Sequence, residues 1–293
     1  DLSPGSLLVP GANNITTATL NMTAGGNTAD YNQDGVIDPD GLDNIPGNSD
    51  DEVLNTSSNA IEADISAATL NLAQVFGFGA IEVRDVDGDL GVNFATTFDG
   101  NISIGTTGGT LTTASPTFFN LLLGVDAGGA GNINLANVAG NVNVGDGNLL
   151  TLPALADLRA AGDRVTVVAG GQVVDGDLGA DTGATRVNVT ALEVVLVGGT
   201  GVGAVGNPLD LQASFLAGAF NDGGFYVVNK GSVTIADLSL ALPDDPEGSV
   251  IGGFVSPIDV VYPRPIGRGI HDVVRGAAPE ADVLVHAVNL NDP

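Results

Sequence analysis

The sequence predicts an all-β fold in which short parallel strands coil into a β-helix, or β-solenoid. Glycine makes up 43 of the 293 residues and is interleaved with Val, Ile, Leu, Thr and Asn, which is typical of many short strands joined by tight turns. The acidic residues are 29 Asp and only 6 Glu, and Asp favours turns and caps over helix interiors. The third observation is a strand-like motif that recurs along the chain.

That motif is an apolar–polar–apolar triplet, such as Ile81-Glu82-Val83. Its period of two places the flanking side chains on one face of a strand and the middle one on the other. Successive triplets begin 19 to 24 residues apart, which predicts about nine coils over residues 61–240, each adding about 4.8 Å to a stack. The alternative is one or two antiparallel β-sandwiches, although Asn-Gly hairpin signals are scarce. The triplets start at Ile61, Ile81, Ile102, Leu121, Val142, Val165, Val187, Leu209 and Val233.

Composition divides the chain into three segments. Residues 1–60 are rich in Asp, Asn and Ser and are interpreted as an N-terminal cap that carries a calcium loop. Residues 61–240 are the predicted solenoid, and residues 241–293 form a Pro-rich C-terminal cap or contact segment, because uncovered end coils would expose a sheet edge. One helix is predicted over residues 151–162, where Pro153 stands near the start and Gly162 at the end.

Charge and composition exclude several classes of function. The net charge of −27 leaves nothing to neutralise phosphates, so nucleic acids are excluded as partners and anionic membranes are poor partners. The chain has no Cys and only two His, which removes thiolate nucleophiles, disulfides and cysteine-based metal sites. No apolar run approaches about 18 residues, so no membrane span is predicted. Sparse bases and aromatics disfavour a polysaccharide-cleaving groove, and the prediction is that the protein is not an enzyme.

The strongest chemical motif is a calcium-type loop at residues 30–38. Its oxygen-bearing side chains stand at positions 1, 3, 5 and 9, with Gly35 at position 6, as in the start of an EF-hand loop. Position 12 is Gly41 and not the usual acid, so Asp40 or Asp43 is expected to supply that ligand. The predicted calcium ligands are Asp30, Asn32, Asp34, the Val36 carbonyl, Asp38 and Asp43.

Two further Asp-Gly-Asp-Leu-Gly stretches are weaker calcium candidates. They begin at Asp87 and Asp175 and are separated by 88 residues, four coils of 22. The alternative interpretation is a corner of the solenoid where Asp and Gly serve turn geometry. The candidate ligands are Asp85, Asp87, Asp89, Asp175, Asp177 and Asp181.

Residues 185–240 resemble the filamentous-haemagglutinin-like repeats of giant bacterial surface proteins. The resemblance rests on the stretches Val-Thr-Ala-Leu-Glu-Val at 189–194, Gly-Gly-Thr-Gly-Val-Gly at 198–203, Asn-Pro-Leu at 207–209, Asp-Gly-Gly-Phe-Tyr-Val-Val-Asn at 222–229 and Gly-Ser-Val-Thr-Ile at 231–235. Residues 61–184 match more loosely. The resemblance implies a right-handed parallel β-helix, secretion and a structural or adhesive role.

These observations predict an extracellular or cell-surface structural or adhesive protein. It would be stabilised by calcium and would assemble with other copies of itself into a filament or surface layer, with glycans or a neighbouring cell surface as further partners. Bound calcium would offset carboxylates that otherwise repel each other. The alternatives are a carbohydrate-binding module and a β-helical enzyme that degrades polysaccharide.

Overall fold

A computed structural model describes most of the central part of the chain and short strands at either end. The described residues are 15–24, 60–86, 88–116, 124–146, 156–177, 187–220, 223–235, 270–272 and 283–288. Within these ranges the secondary structure is entirely β, with no helix. The strands are β1 Ile15–Ala24, β2 Ile61–Phe78, β3 Ile81–Asp85, β4 Leu90–Val92, β5 Phe94–Asp99, β6 Ile102–Thr106, β7 Thr110–Thr113, β8 Gly124–Ala127, β9 Ile133–Asn137, β10 Asn141–Val144, β11 Leu158–Ala169, β12 Val173–Asp175, β13 Val189–Gly198, β14 Leu209–Phe220, β15 Phe225–Lys230, β16 Thr234–Ile235, β17 Ile270–Asp272 and β18 Val283–Val288.

The strands stack in parallel into three faces, so each coil contributes one strand segment to each face. Face A contains β3, β6 and β9, with the start of β2 and the later parts of β11, β13 and β14. Face B contains β4, β7, β10 and β12 and continues through Val202 to β15 and β18. Face C contains β5 and β8, with the end of β2 and the first parts of β11, β13 and β14.

This arrangement confirms the predicted all-β parallel solenoid. The described residues define seven coils. Coil 1 is β2, coil 2 is β3–β5 and coil 3 is β6–β8. Coil 4 runs from β9 into β11, coil 5 from β11 into β13, coil 6 from β13 into β14, and coil 7 from β14 into β15. Strand β1 stacks on β2 before the first coil, while β17 and β18 pair with β14 and β15. Both predicted cap segments therefore contribute strands to the stack.

The coils differ in length more than the sequence period suggested. Hydrogen-bonded residues on neighbouring coils are 20 and 21 positions apart early in the stack, in agreement with the predicted spacing. They are then 31, 32 and 29 apart across coils 3 to 6. The triplet at Val142 lies on face B, paired with Leu111 and Val173, whereas the triplets at Ile102 and Val165 lie on face A.

The added length lies at one corner, between faces B and C. In coil 2 a single residue, Asn93, separates β4 from β5. In coils 3, 4 and 5 the chain between the corresponding strands covers residues 114–123, 145–157 and 176–188. We call these three segments the excursions. Because they follow each other on consecutive coils, they change the sequence period without disturbing the stacking of the strands.

The core consists of the inward-facing residues of all three faces. On face A, Ile81, Ile102, Ile133, Val165 and Val194 occupy equivalent positions in successive coils, and all are buried in one apolar cluster. Each fully buried Val, Leu or Ile contributes roughly 1.5–3 kcal/mol relative to exposure. Near the last coils the core gains two aromatic rings, Phe220 and Phe225, whose centroids lie 6.2 Å apart.

Polar side chains tie neighbouring coils together outside this core. An asparagine ladder runs along the surface, where the Asn71 amide donates to Asn21 Oδ1 at 2.8 Å and the Asn93 amide donates to Asn71 Oδ1 at 2.9 Å. Asn71 both donates and accepts, so the ladder joins β1 to the first two coils. Three ion pairs also join neighbouring coils, namely Arg84–Asp64, Arg159–Asp126 and Arg164–Glu193.

Close stacking at the corners between faces A and B requires glycine. A Cβ on Gly140 would lie 1.6 Å from the carbonyl oxygen of Gly109 in the preceding coil. In the next coil, the Gly171 amide donates to Gly140 O at 2.9 Å. These glycines are therefore needed for backbone contact between coils, in addition to the tight turns that the sequence indicated.

The helix predicted over residues 151–162 is wrong in its described part. Leu158 begins β11, and the chain continues as a strand through Gly162 to Ala169. The register between β11 and β13 shifts between Ala160 and Arg164, so Gly162 lies where the strand bends from face C to face A. The helical signals at Pro153 and Gly162 were outweighed by pairing with neighbouring strands on both sides, a tertiary effect that local propensity does not report.

Candidate functional site: a buried acidic cluster below the excursions

The excursions begin and end beside a buried group of polar side chains at the corner between faces B and C. Its members come from coils 3, 4 and 5 and are 0 to 6% exposed. We call this group the acidic cluster. It consists of Ser115, Asp157, Asp175, Asp177 and Asn188.

Asn188 lies at the centre of the acidic cluster. Its Nδ2 is 3.2 Å from Asp157 Oδ2, 3.0 Å from Asp175 Oδ1 and 3.5 Å from Asp177 Oδ2. Its Oδ1 accepts a hydrogen bond from the Asp210 amide at 2.8 Å. An amide nitrogen carries two protons, so three carboxyl groups share a single donor group.

Ser115 and the backbone complete the connection between coils. Ser115 Oγ lies 3.1 Å from Asp177 Oδ1 and accepts a hydrogen bond from the Asp146 amide at 3.3 Å. The Asp177 amide donates to Asp175 Oδ1 at 3.0 Å. The acidic cluster therefore fixes the points at which the chain leaves and re-enters the strands on three consecutive coils.

Electrostatics distinguish Asp157 within this group. Burial raises the pKa of Asp157 well above its usual range, and the nearby charges of Asp177 and Asp175 raise it further. Hydrogen bonds with Ser115 and Asn188 act in the opposite direction but do not reverse the shift. Carboxyls that share a buried site resist being ionised together, so Asp157 takes up a proton above the pH at which an exposed Asp does.

Asp157 makes the stability of the fold depend on pH in a defined direction. Because its pKa is higher in the folded chain than in the unfolded chain, its contribution is complete at low pH and is lost as the pH rises through the folded pKa. Asp157→Asn removes this titration. We expect the variant to be more stable than the parent at neutral pH, with the difference disappearing on acidification. Urea denaturation between about pH 4 and pH 8 measures it.

The control for this prediction is Asp163→Asn, which removes the same charge from a half-buried position. Any stabilisation from lowering the net charge of −27 is common to both variants. A stability difference for Asp157→Asn that does not change with pH would contradict the assigned titration.

The structure shows where some of the sequence-predicted calcium ligands lie. Asp175 and Asp177 belong to the acidic cluster. Asp85 lies at the corner between faces A and B, where its Oδ1 accepts from the Ala67 amide at 3.1 Å, and Asp89 Oδ1 accepts from the Thr110 amide. The remaining candidates, Asp30, Asn32, Asp34, Val36, Asp38, Asp43, Asp87 and Asp181, lie outside the described residues.

Across the described parts of the chain, no group of three or more His, Cys, Asp or Glu side chains could hold a metal ion. The carboxylates of Asp85, Asp89, Asp175 and Asp177 accept hydrogen bonds from the protein. Calcium binding at residues 30–43 stays a prediction.

Sequence reasoning missed Ser115, Asp157 and Asn188, although a signal was present. Asp157 and Asn188 are 31 residues apart, as are Ser115 and Asp146. A search for a period near 22 does not place these pairs one above the other. Asn188 also begins an Asn-Val-Thr sequence of the kind that accepts N-linked glycans, but its side chain is buried and hydrogen-bonded.

A second surface feature lies on the outside of the early coils. Phe76, Phe78 and Phe98 are 37, 37 and 44% exposed. Phe76 and Phe98 follow the paired, buried residues Val75 and Thr97 on adjacent coils, so their rings lie on the outer side of face C. We call these three side chains the aromatic patch.

Comparison with known proteins leaves the function to be argued from this geometry. Within the described residues there is no helix long and apolar enough to cross a bilayer. No protein-family model, no curated protein and no solved structure matches this chain.

Proposed function

We propose that the chain is the solenoid region of a non-enzymatic, extracellular structural or adhesive surface protein that associates with further copies of itself. The observation that carries this proposal is the set of excursions, which leave one corner of a stacked scaffold on three consecutive coils. Loops held by a rigid scaffold are common sites of binding. The resemblance of residues 185–240 to filamentous-haemagglutinin-like repeats supports the same role.

The arrangement of polar groups supports binding more than catalysis. The acidic cluster is buried below the excursions, and its side chains hydrogen-bond to one another and to backbone amides. Such groups connect three neighbouring coils at the ends of the excursions. The stacking of coils also suits a structural role, because the described strands of each coil pair with strands of the neighbouring coils.

Self-association is tested with the purified chain. We expect electron microscopy and sedimentation velocity to show filaments, a lattice or discrete oligomers as protein and calcium concentrations rise. The matched comparison is a variant in which residues 147–153 are replaced by Gly and Ser, which alters one excursion and leaves the described strands unchanged. A chain that stays monomeric under all conditions would refute the self-association part of the proposal.

Calcium is proposed to stabilise the protein through the loop at residues 30–43. Calcium present at about 100 times its Kd would stabilise the folded state by about 2.7 kcal/mol, which corresponds to a rise in Tm of about 5–10 °C for a chain of this size. We expect EDTA to abolish that rise, and Asp34→Asn to abolish it even with calcium present. Asp181→Asn is the control, because it removes an Asp outside residues 30–43. If residues 30–43 bind the ion, this variant keeps the calcium-dependent rise in Tm. An identical Tm in calcium and in EDTA would remove calcium from the proposal.

A carbohydrate-binding role is the second candidate, because of the aromatic patch. Exposed aromatic rings offer apolar faces against which the C–H faces of neutral sugars can pack, and the acidic chain disfavours anionic glycans. We expect glycan-array binding by the parent chain to be lost in Phe98→Ala and retained in Leu192→Ala, which removes an exposed apolar side chain elsewhere. Equal binding by both variants would exclude the aromatic patch as the site.

A further inference from the structure

The first and last strands of the stack each pair along one edge. Strand β1 pairs in parallel with β2, and β18 pairs in parallel with β15. Within the described ranges, no other strand pairs with β1 or with β18. The N–H and C=O groups along such an edge form a template for pairing with another strand. The two open edges face in opposite directions along the stack, while their chains run in the same direction.

Strand β1 lacks the features that usually protect an edge. It is ten residues long, with the sequence Ile-Thr-Thr-Ala-Thr-Leu-Asn-Met-Thr-Ala, and it contains no charged residue and no Pro. Native sheets commonly keep edge strands short or place charges and Pro on them. The absence of charge is notable in a chain with 35 acidic residues. The edge of β1 is therefore suited to pairing with a further strand.

The asparagine ladder has a direction and ends at β1. The Asn93 amide donates to Asn71, and the Asn71 amide donates to Asn21, so each donor reaches toward the preceding strand. Asn21 is exposed, and within the described residues its Nδ2 donates to no acceptor. A strand stacked beyond β1 would give Asn21 the acceptor position that Asn71 and Asn93 already have.

The opposite end of the stack exposes an apolar side chain at an inward position. Ile235 of β16 pairs with Leu216 of β14. Leu216 belongs to the core and is 0% exposed, whereas Ile235 is 45% exposed. Paired residues on parallel strands face the same side of the sheet, so Ile235 continues a core column that is open to water. Covering this end would remove apolar surface from water.

We propose that copies of the chain stack head to tail, so that the open edge of β1 in one copy pairs in parallel with the open edge of β18 in the next; this rests on the self-association proposed above. A second copy fits both ends, because a shift along the stack axis brings strands of the same direction against each other. Such a contact is heterologous and does not close, so it extends into a filament.

The strand pairings predict which residues meet across this contact. One column of paired residues runs along face B, with coil 6 contributing through the bridge at Val202. It begins at Thr19 in β1, passes through Thr112 in β7 and Tyr226 in β15, and ends at Leu284 in β18. If the stack continues in register, Thr19 of one copy lies beside Leu284 of the next, at the strand spacing of about 4.8 Å.

Cysteine cross-linking tests this contact, because the chain has no native Cys. Thr19→Cys and Leu284→Cys are made in separate proteins and treated with a short bis-maleimide under conditions in which the parent chain associates. We expect cross-linked dimers when the two proteins are mixed and none from either protein alone. Thr112→Cys, in the middle of the same column, is the matched control and should cross-link with neither partner.

The other outcomes separate this contact from self-association itself. Dimers of Thr19→Cys alone would mean that copies meet β1 to β1, and equal cross-linking of Thr112→Cys would mean that they meet side by side. Either result would overturn head-to-tail stacking, as would association without any cross-link. These results leave self-association in place, whereas a chain that stays monomeric overturns both proposals.

A charge on the edge strand gives a second test that needs no cross-linker. Ala18→Asp adds a carboxylate at an exposed position of β1, and we expect association to weaken at least about ten-fold, because like charges brought together at an interface oppose binding. Ala130→Asp makes the same change at an exposed position in the middle of the stack and should associate like the parent. Equal association of the two variants, with β-structure retained by circular dichroism, would overturn the proposal.

Discussion

Asn188→Asp will destabilise the fold at neutral pH by about 3–5 kcal/mol, the usual cost of leaving a buried charge without its partner. The substitution keeps the shape of the side chain but replaces the donor that Asp157, Asp175 and Asp177 share. It also adds a fourth carboxyl group to a buried site. The loss should shrink on acidification, because protonated carboxyls neither repel each other nor depend on the missing donor.

The matched control is Asn93→Asp, the same chemical change in the asparagine ladder at the surface. The Asn93 side chain donates one hydrogen bond, to Asn71 Oδ1 at 2.9 Å, so we expect a loss of only about 1 kcal/mol. Urea denaturation of both variants at neutral and acidic pH gives the comparison. If Asn188→Asp costs no more than Asn93→Asp, the acidic cluster does not hold the coils together as described.

Gly140→Ala is the second substitution with a large expected effect, a loss of about 3 kcal/mol at the upper end of the range for overpacking. The new Cβ would lie 1.6 Å from Gly109 O and 2.9 Å from Asn137 Nδ2. The carbonyl belongs to the backbone of the preceding coil, so no side-chain rotation relieves the clash. Two stacked coils would have to move apart at this corner.

Gly108→Ala is the control for this substitution. A Cβ at Gly108 meets no atom within 4 Å, and we expect its stability to stay within about 0.5 kcal/mol of the parent. Thermal or chemical denaturation distinguishes the two variants. Equal stability of Gly140→Ala and Gly108→Ala would mean that the stacked coils accommodate an added methyl group at the corner between faces A and B without loss of stability.

The fold class could be predicted because it depends on local alternation. Triplets such as Ile81-Glu82-Val83 specify which side chains face inward, whatever their coil. The register could not be predicted from a constant period, because it depends on how many residues each coil places in an excursion. Val142 shows the consequence, since its triplet lies at the expected sequence distance but on face B.

The acidic cluster could not be predicted from the sequence, for a related reason. Asp175 and Asp177 stood out as acidic residues beside glycine, but their donor, Asn188, belongs to the other side of an excursion. Only the register shows that Asp157 and Asn188 lie one above the other at the start of face C.

Coils 3 and 4 also begin with the same short sequence. Gly100-Asn101-Ile102 and Gly131-Asn132-Ile133 occupy equivalent places 31 residues apart, and the Asn101 side chain accepts from the Asn132 amide. Tandem duplication of a 31-residue unit would generate both the sequence repeat and the contacts between copies in one step. In such a chain a whole coil can be gained or lost without changing the register of the others. Shorter changes in length are accommodated at the corner that carries the excursions.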